Sequence, residues 1–291
     1  MASNSTIYLL WKQLRPKQWS KNLLVFAALL FSFQLSSLDA FLLAFLGFVL
    51  FSFTASSIYI INDYQDREAD RQHPVKKHRP MASGALNPQL ALGTAVVLLL
   101  AAFLSSFLVN QLFFLILLVY FVTNLLYTMV LKHVVIIDMM LIAFGFVLRA
   151  IGGAVIIDVA FTPWFLLCAM LLSLFLAIGK RRHELLLQIE GKTSHRKVLE
   201  EYSFPFLDQL MGIVASATIV SYAVFTFTAG ETVQLMWTIP FVIYGVFRYL
   251  YLVHIRQEGG APEKILLGDR HILVTVILYA VTVLVILSFF N

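Results

Sequence analysis

The chain has little charge and almost no cysteine. Charged residues make up 13% of its 291 positions, about half the share of an average soluble domain. Its one cysteine, Cys168, sits inside an apolar run. A lone thiol forms no disulfide within the chain and no thiolate metal centre, so Cys168 is expected to be packing. There is no Ser/His/Asp set, no Gly-rich phosphate loop and no zinc-ligand spacing, and His73, His78, His133 and His195 are scattered. These absences leave no expectation of a nucleic-acid partner. No soluble domain or low-complexity tract interrupts the chain. Its start is basic and then apolar, as in a signal peptide. No convincing small-residue cleavage site follows, so it reads as a retained first span.

What the chain has instead is apolar length. Hydrophobic residues make up 60%, with 26 phenylalanines, and the mean hydropathy is +0.86. Runs long enough to cross a bilayer fall at roughly 22–38, 41–62, 90–109, 112–131, 137–157, 163–181, 209–229, 233–254 and 271–290. None alternates as a strand would, and each exceeds strand length. The expectation is an all-α integral membrane protein, a bundle of about nine transmembrane helices in a single domain over residues 1–291.

The cations order this bundle. Apart from Arg149, the 21 Lys and Arg lie before the first run or in and around the connections after the second, fourth, sixth and eighth. The alternate loops carry none. The positive-inside rule then places the N-terminus and the basic loops in the cytoplasm of a plasma or inner membrane. Most of the acids fall on the same side. A polar cytoplasmic cap over a membrane cavity follows.

The densest polar segment is Asn62-Asp63-Tyr64-Gln65-Asp66-Arg67-Glu68-Ala69-Asp70, at the end of the second run. Four carboxylates crowded together repel unless a cation neutralises them. At about 100° per residue, Tyr59, Asn62, Asp63, Asp66 and Asp70 share about a third of a helix circumference. Such hard oxygens suit Mg²⁺, which keeps some waters and completes its shell from substrate phosphates. The alternative is a solvated acidic loop. Next comes a basic loop with Lys76, Lys77 and Arg79, where Pro74 and Pro80 break helix continuity. Acids that hold a metal, beside cations that hold phosphate, suit an anionic phosphate substrate. An inner-leaflet lipid patch would explain the cations alone.

Other candidates are weaker. Tyr127 and Lys132 end the fourth run, and Asp138 opens the fifth. Arg149 lies eleven residues after Asp138, on nearly the same face but about three turns away, too far for a direct pair. At membrane depth an Arg is costly and marks a functional candidate, unless a partner on another helix satisfies it. Gly152 and Gly153 permit close helix packing. The sixth run ends Gly179-Lys180-Arg181-Arg182-His183-Glu184, either a phosphate clamp or a surface i,i+4 pair of Lys180 with Glu184. Near the start, Lys17 and Lys21 flank Trp19, as an interfacial anchor or as cations reaching the cap.

Asn62-Asp63-x-x-Asp66-x-x-x-Asp70, the Tyr127…Lys132 helix end and the nine runs resemble the UbiA-type intramembrane prenyltransferase superfamily. Within it, Arg15-Pro-Lys-Gln-Trp-Ser-Lys-Asn22, Asp70-Arg-Gln-His-Pro-Val-Lys-Lys-His-Arg-Pro80, Phe144-Gly-Phe-Val-Leu-Arg-Ala150 and Gly179–Glu184 look most like the phosphoribosyltransferase branch. That resemblance implies a lateral lipid groove and Mg²⁺ on Asn62, Asp63, Asp66 and Asp70. It implies transfer of 5-phosphoribosyl from phosphoribosyl diphosphate to a decaprenyl-type polyprenyl phosphate. Asp63, Asp66 and Lys132 would be catalytic. Lys17, Lys21, Tyr59, Asp70, Lys76, Lys77, Arg79, Tyr127, Asp138, Arg149, Lys180, Arg181 and Arg182 would hold substrate. The aromatic prenyltransferases carry a second DxxxD-type motif. Here Leu185–Asp208 offers Glu190, Glu200, Glu201 and Asp208 without that spacing. Transfer of a prenyl group to an aromatic or haem acceptor stays open, as do a transporter and a homo-oligomer.

Overall fold

The structure is a computed structural model that describes residues 5–31, 37–72, 76–160, 162–191, 197–228 and 233–290. Pro74, the histidines at 73 and 195, and the basic residues Lys192 and Arg196 lie outside these. Twelve α-helices follow one another: α1 Thr6–Gln13, α2 Ala27–Phe31, α3 Leu38–Gln65, α4 Arg67–Gln72, α5 Pro88–Val109, α6 Gln111–Met129, α7 Ile137–Ile156, α8 Pro163–Ile189, α9 Phe204–Thr228, α10 Ile239–His254, α11 Pro262–Gly268 and α12 Arg270–Phe289. Their starts are written in the sequence. Ser37, Asn87, Asn110, Thr162 and Asp269 each accept a hydrogen bond from a first-turn amide of the helix they precede, and prolines open α5 and α8.

Seven stretches are long and apolar enough to cross a membrane by length and composition, counting Val233–His254 as one, and Arg270–Ile286 is a shorter apolar stretch. The expected nine spans are therefore not reached among the described residues. Two expected runs fall outside that count: the ninth, where Arg270–Ile286 is the shorter stretch, and the first. In the first, among the described residues, Pro16–Phe26 is 3-10 helix and Ala27–Phe31 is α-helical, while residues 32–36 lie outside those described.

The chain divides into two compact units. Unit 1 takes residues 1–131 and 148–160, and unit 2 takes 132–147 and 161–291. In unit 1, α3 packs against α5, α6 and the 3-10 segment. Its core joins Val25, Ala44, Phe51, Phe113, Leu117 and Ala154. A second cluster seats Leu9 of α1 on Ile60, Met81, Leu86, Ala91 and Ala95.

The 3-10 segment runs antiparallel along α3 and hooks onto it. The Trp19 indole donates to Ser56 Oγ (3.0 Å), and Ser56 Oγ donates to the Leu14 carbonyl (2.9 Å). The Asn22 amide donates to Ser52 Oγ (3.0 Å), and Val25 meets Gly47. Six residues at the 3-10 rise of about 2.0 Å cover about 12 Å. Nine residues of α3 at about 1.5 Å cover about 13.5 Å. The tighter helix keeps the two sets of hooks in step. On α7, a Cβ at Gly153 would lie 2.1 Å from the Val25 carbonyl oxygen, and one at Gly152 would lie 2.7 Å from the Phe51 ring. The glycine pair does permit the close approach expected of it.

In unit 2, α8 lies along α9, and α10 packs on α12. Phe175, Ile178, Leu207, Met211, Leu252 and Val253 form its core.

Candidate functional site

The acidic segment keeps its helical register across the α3–α4 junction. The Asp66 amide donates to the Asn62 carbonyl (2.9 Å), and the Asp70 amide to the Asp66 carbonyl (2.8 Å). Asn62, Asp66 and Asp70 therefore stand one turn apart on one face, as the spacing predicts. Among the described residues no hydrogen bond or ion pair reaches the Asn62 amide or the Asp66 carboxylate. Asp70 is buried, with Arg79 Nη1 2.5 Å from Oδ2 and Lys76 Nζ 3.9 Å from Oδ1.

Asp63 lies seven residues before Asp70, on the same side of the helix, and is buried like it. Gln13 Nε2 donates to its Oδ2 (2.7 Å), and Arg15 and Arg79 donate to its Oδ1 (2.5 and 2.8 Å). Three donors satisfy this buried carboxylate, and two of them, Arg15 and Arg79, are themselves only partly buried. Arg79 bridges Asp63 and Asp70 through one nitrogen. Arg15 adopts a left-handed backbone (φ 54°) and lies 5.0 Å from the Tyr59 ring centroid. Gln13 and Arg15 went unnoticed as site residues because their partner lies 50 and 48 positions away. The only signal was the Arg15-Pro16 break before a basic stretch.

The donor set still fits Mg²⁺. Among the described residues no three His, Cys, Asp or Glu converge. An ion here would take two carboxylates, Asp66 and Asp70, and the Asn62 oxygen. Water and phosphate would complete the shell, which is how Mg²⁺ is commonly held. Lys77 is exposed, and Lys17 is exposed on the 3-10 segment, with Lys21 half-buried. Tyr127 is half-buried near the end of α6.

Arg149 is buried, donating to Asn22 Oδ1 (2.7 Å) and the Tyr120 hydroxyl (2.6 Å), with its guanidinium 4.7 Å from the Tyr120 ring centroid. Through these neutral acceptors it ties α7 to α6 and the 3-10 segment.

Unit 2 holds the other candidates, and two of them are sealed. Asp138 and Arg181 are buried against each other, with Arg181 Nε donating to Asp138 Oδ2 (2.6 Å). The Tyr202 hydroxyl donates to Asp138 Oδ1 (2.7 Å) and accepts from the Ile136 amide (2.6 Å). Ile136 has φ 69°, a strained conformation for a β-branched residue, and this hydrogen bond helps hold it. Burial pushes the Tyr202 phenol well above its ordinary pKa, and the Asp138 charge pushes the same way. Arg181 also donates to Glu184, which lies 3.9 Å from Lys180. Asp138 and Arg181 thus form a buried pair, 0% and 1% exposed at their side chains.

The rest of that motif is also engaged within unit 2. Arg182 donates to Asp208 Oδ1 (2.6 Å), and His183 Nδ1 lies 2.8 Å from the Gln257 carbonyl oxygen. A Cβ at Gly179 would lie 2.8 Å from the Tyr249 hydroxyl. Lys180 is the most exposed cation of the three, and Lys132 is half-buried. At the start of α12 the Arg248 guanidinium hydrogen-bonds Asp269 and holds its carboxyl below the usual range.

Known proteins resemble this chain in sequence and in fold. The chain is 39% identical to the decaprenyl-phosphate phosphoribosyltransferase of Corynebacterium glutamicum, over 89% of this chain and 80% of that one. It is 36% identical to the enzyme of that name from Mycolicibacterium smegmatis, over 89% and 86%. The Mycobacterium tuberculosis enzyme is 32% identical, over 89% and 87%. A UbiA homolog from Archaeoglobus fulgidus, solved with DMAPP and Mg²⁺, superposes with a TM-score of 0.70 at 19% identity, over 96% of this chain and 99% of that one. Digeranylgeranylglyceryl phosphate synthase gives 0.71 at 16% identity, over 97% and 98%. These two likenesses speak to the fold. The UbiA prenyltransferase family model matches residues 23–267, and on that match the chain belongs to the UbiA prenyltransferase family.

Proposed function

We propose that this chain, one UbiA-like domain spanning a cell membrane with its N-terminus and site on the cytoplasmic side, is a Mg²⁺-dependent phosphoribosyltransferase. It moves 5-phosphoribosyl from phosphoribosyl diphosphate to a polyprenyl phosphate of the decaprenyl type and releases diphosphate. The observation that carries this reading is the oxygen face Asn62–Asp66–Asp70 with Arg79 and Lys76 beside it. The named relatives, similar over most of their length, support the choice of substrates.

Asn62, Asp66 and Asp70 would hold Mg²⁺, which supplies charge neutralisation to a diphosphate leaving group. Lys76, Lys77 and Arg79 hold phosphate oxygens of the donor, and Arg79 is kept in place by Asp63. Lys180 is a further phosphate contact. Tyr127 and Lys132 steer the lipid phosphate, whose chain occupies a lateral groove, and Lys17 and Lys21 lie on the basic side of the site. As the glycosidic bond lengthens, positive charge develops at the anomeric carbon. The lipid phosphate attacks the opposite face and inverts that centre. The acceptor is already an anion, so no strong base is required. Positioning and charge neutralisation supply most of the rate.

The test is product formation by purified protein given labelled phosphoribosyl diphosphate and a polyprenyl monophosphate, with Mg²⁺ or with chelator. The expected result is a labelled lipid that disappears with chelator. No labelled lipid from demonstrably folded protein, across several lipid lengths, overturns the reading.

A further inference from the structure

Helix α1 has two unlike sides. At about 100° per residue, Leu9, Leu10 and Gln13 share one side, and Ile7, Tyr8 and Trp11 the other. The first side is fixed. Leu9 and Leu10 join the cluster around Ile60 and Met81, and Gln13 is buried on Asp63. The second side is bare, with Ile7 78% exposed and Tyr8 and Trp11 each 53%. Trp11 stands edge-on to Trp19, centroids 5.5 Å apart. Amphipathic rings of this kind favour the headgroup level of a bilayer.

The charge around this face has one sign. The first acidic residue in the chain is Asp39, and Lys12, Arg15, Lys17 and Lys21 all precede it. Arg15 is engaged with Asp63, whereas Lys12 and Lys17 are exposed and make no ion pair among the described residues. Lys12 borders the bare apolar face and Lys17 follows on the 3-10 segment. A short helix with an apolar face, lysines at its edge and no acids complements an anionic phospholipid surface.

We propose that α1 is an in-plane membrane anchor for such a surface. Ile7, Tyr8 and Trp11 lie at the boundary of headgroup and acyl chain, and Lys12 and Lys17 lie on lipid phosphates. Helix α1 leads directly into Gln13 and Arg15, so lipid contact also steadies the two N-terminal donors on Asp63. This inference does not rest on the proposed reaction.

The test uses the full chain in nanodiscs. Cys168→Ala removes the native thiol, and Ile7→Cys carries an environment-sensitive fluorophore. A second sample carries the same label at Gln89, an exposed polar position. The expected result is a blue-shifted label at position 7, quenched by shallow spin-labelled lipid. Quenching is expected to be about two-fold stronger with phosphatidylglycerol than with phosphatidylcholine alone, and that difference fades with salt. Lys12→Glu with Lys17→Glu abolishes the phosphatidylglycerol dependence. A label at position 7 quenched by aqueous iodide as fully as the label at Gln89, in both lipids, overturns the proposal. Energy transfer between copies in place of lipid quenching assigns the face to a second copy and also overturns it.

Discussion

Two buried aspartates anchor the two units, and their partners differ in one respect. Asp63 in unit 1 is held by Arg15 and Arg79, whose side chains are 27% and 26% exposed. Asp138 in unit 2 is held by Arg181, which is 1% exposed. Both carboxylates are out of water and satisfied by donors. At Asp63 the guanidinium groups reach outward, so the charge they carry is available to an anion arriving from solution. At Asp138 the charge is consumed inside. The two nodes thus share a buried acid and differ in how far its partner is exposed.

The comparison can be broken at four points. The largest effect belongs to Asp66→Ala, on the open face next to the first node. Turnover falls about a thousand-fold, roughly 4 kcal/mol of transition-state stabilisation, while the thermal unfolding midpoint in detergent holds. Near-normal turnover sinks the metal assignment. Next is Asp138→Leu, which leaves Arg181 buried with less of its pairing. Breaking a buried pair from one side costs about 3–5 kcal/mol. Denaturation should show that loss, and turnover per folded molecule should stay near that of the parent. A specific collapse of turnover would make the second node a site after all.

Gly153→Ala sets a methyl group against the Val25 carbonyl. Overpacking of this kind costs about 1–3 kcal/mol, read as a lowered unfolding midpoint. The smallest effect sharpens the first node. Arg79→Lys keeps charge and one bridging nitrogen but gives up the remaining guanidinium donors that could meet a phosphate. The KM for the phosphoribosyl donor should rise about ten-fold with kcat little changed. An equal loss in Arg15→Lys would show that both guanidiniums face the donor.

Much of this was legible in the residues, and what was not has a physical cause. The Asn62–Asp66–Asp70 face follows from helical period alone, because the register survives the α3–α4 junction. The glycine pair at 152 and 153 likewise signals a close approach. The surroundings of Asp63 were not legible, because its position on the helix says which way it turns but not what waits there. Its partners, Gln13 and Arg15, come from a distant segment. The pairing of Arg181 was hidden in the same way. Beside Lys180 and three residues before Glu184 it reads as surface charge, and only the return of Asp138 from α7 buries it. Arg149 carried the right signal, an unaffordable charge at membrane depth, and the structure answers it with Asn22 and Tyr120. The first expected run differs among the described residues for another reason. Apolar composition over 22–38 licenses a helix of either pitch, and the polar hooks at Trp19 and Asn22 select the 3-10 form along Pro16–Phe26.

That pitch has a consequence for how the gene can vary. The segment works as a ruler, with its marks at Trp19, Asn22 and Val25 laid against Ser56, Ser52 and Gly47. Substitution between the marks, at Ser20 or Leu23, leaves the spacing alone. Removing one codon slides every later mark by about 2 Å and turns it by about a third of a circle, so that Asn22 no longer meets Arg149. Length, more than spelling, is what this stretch has to transmit.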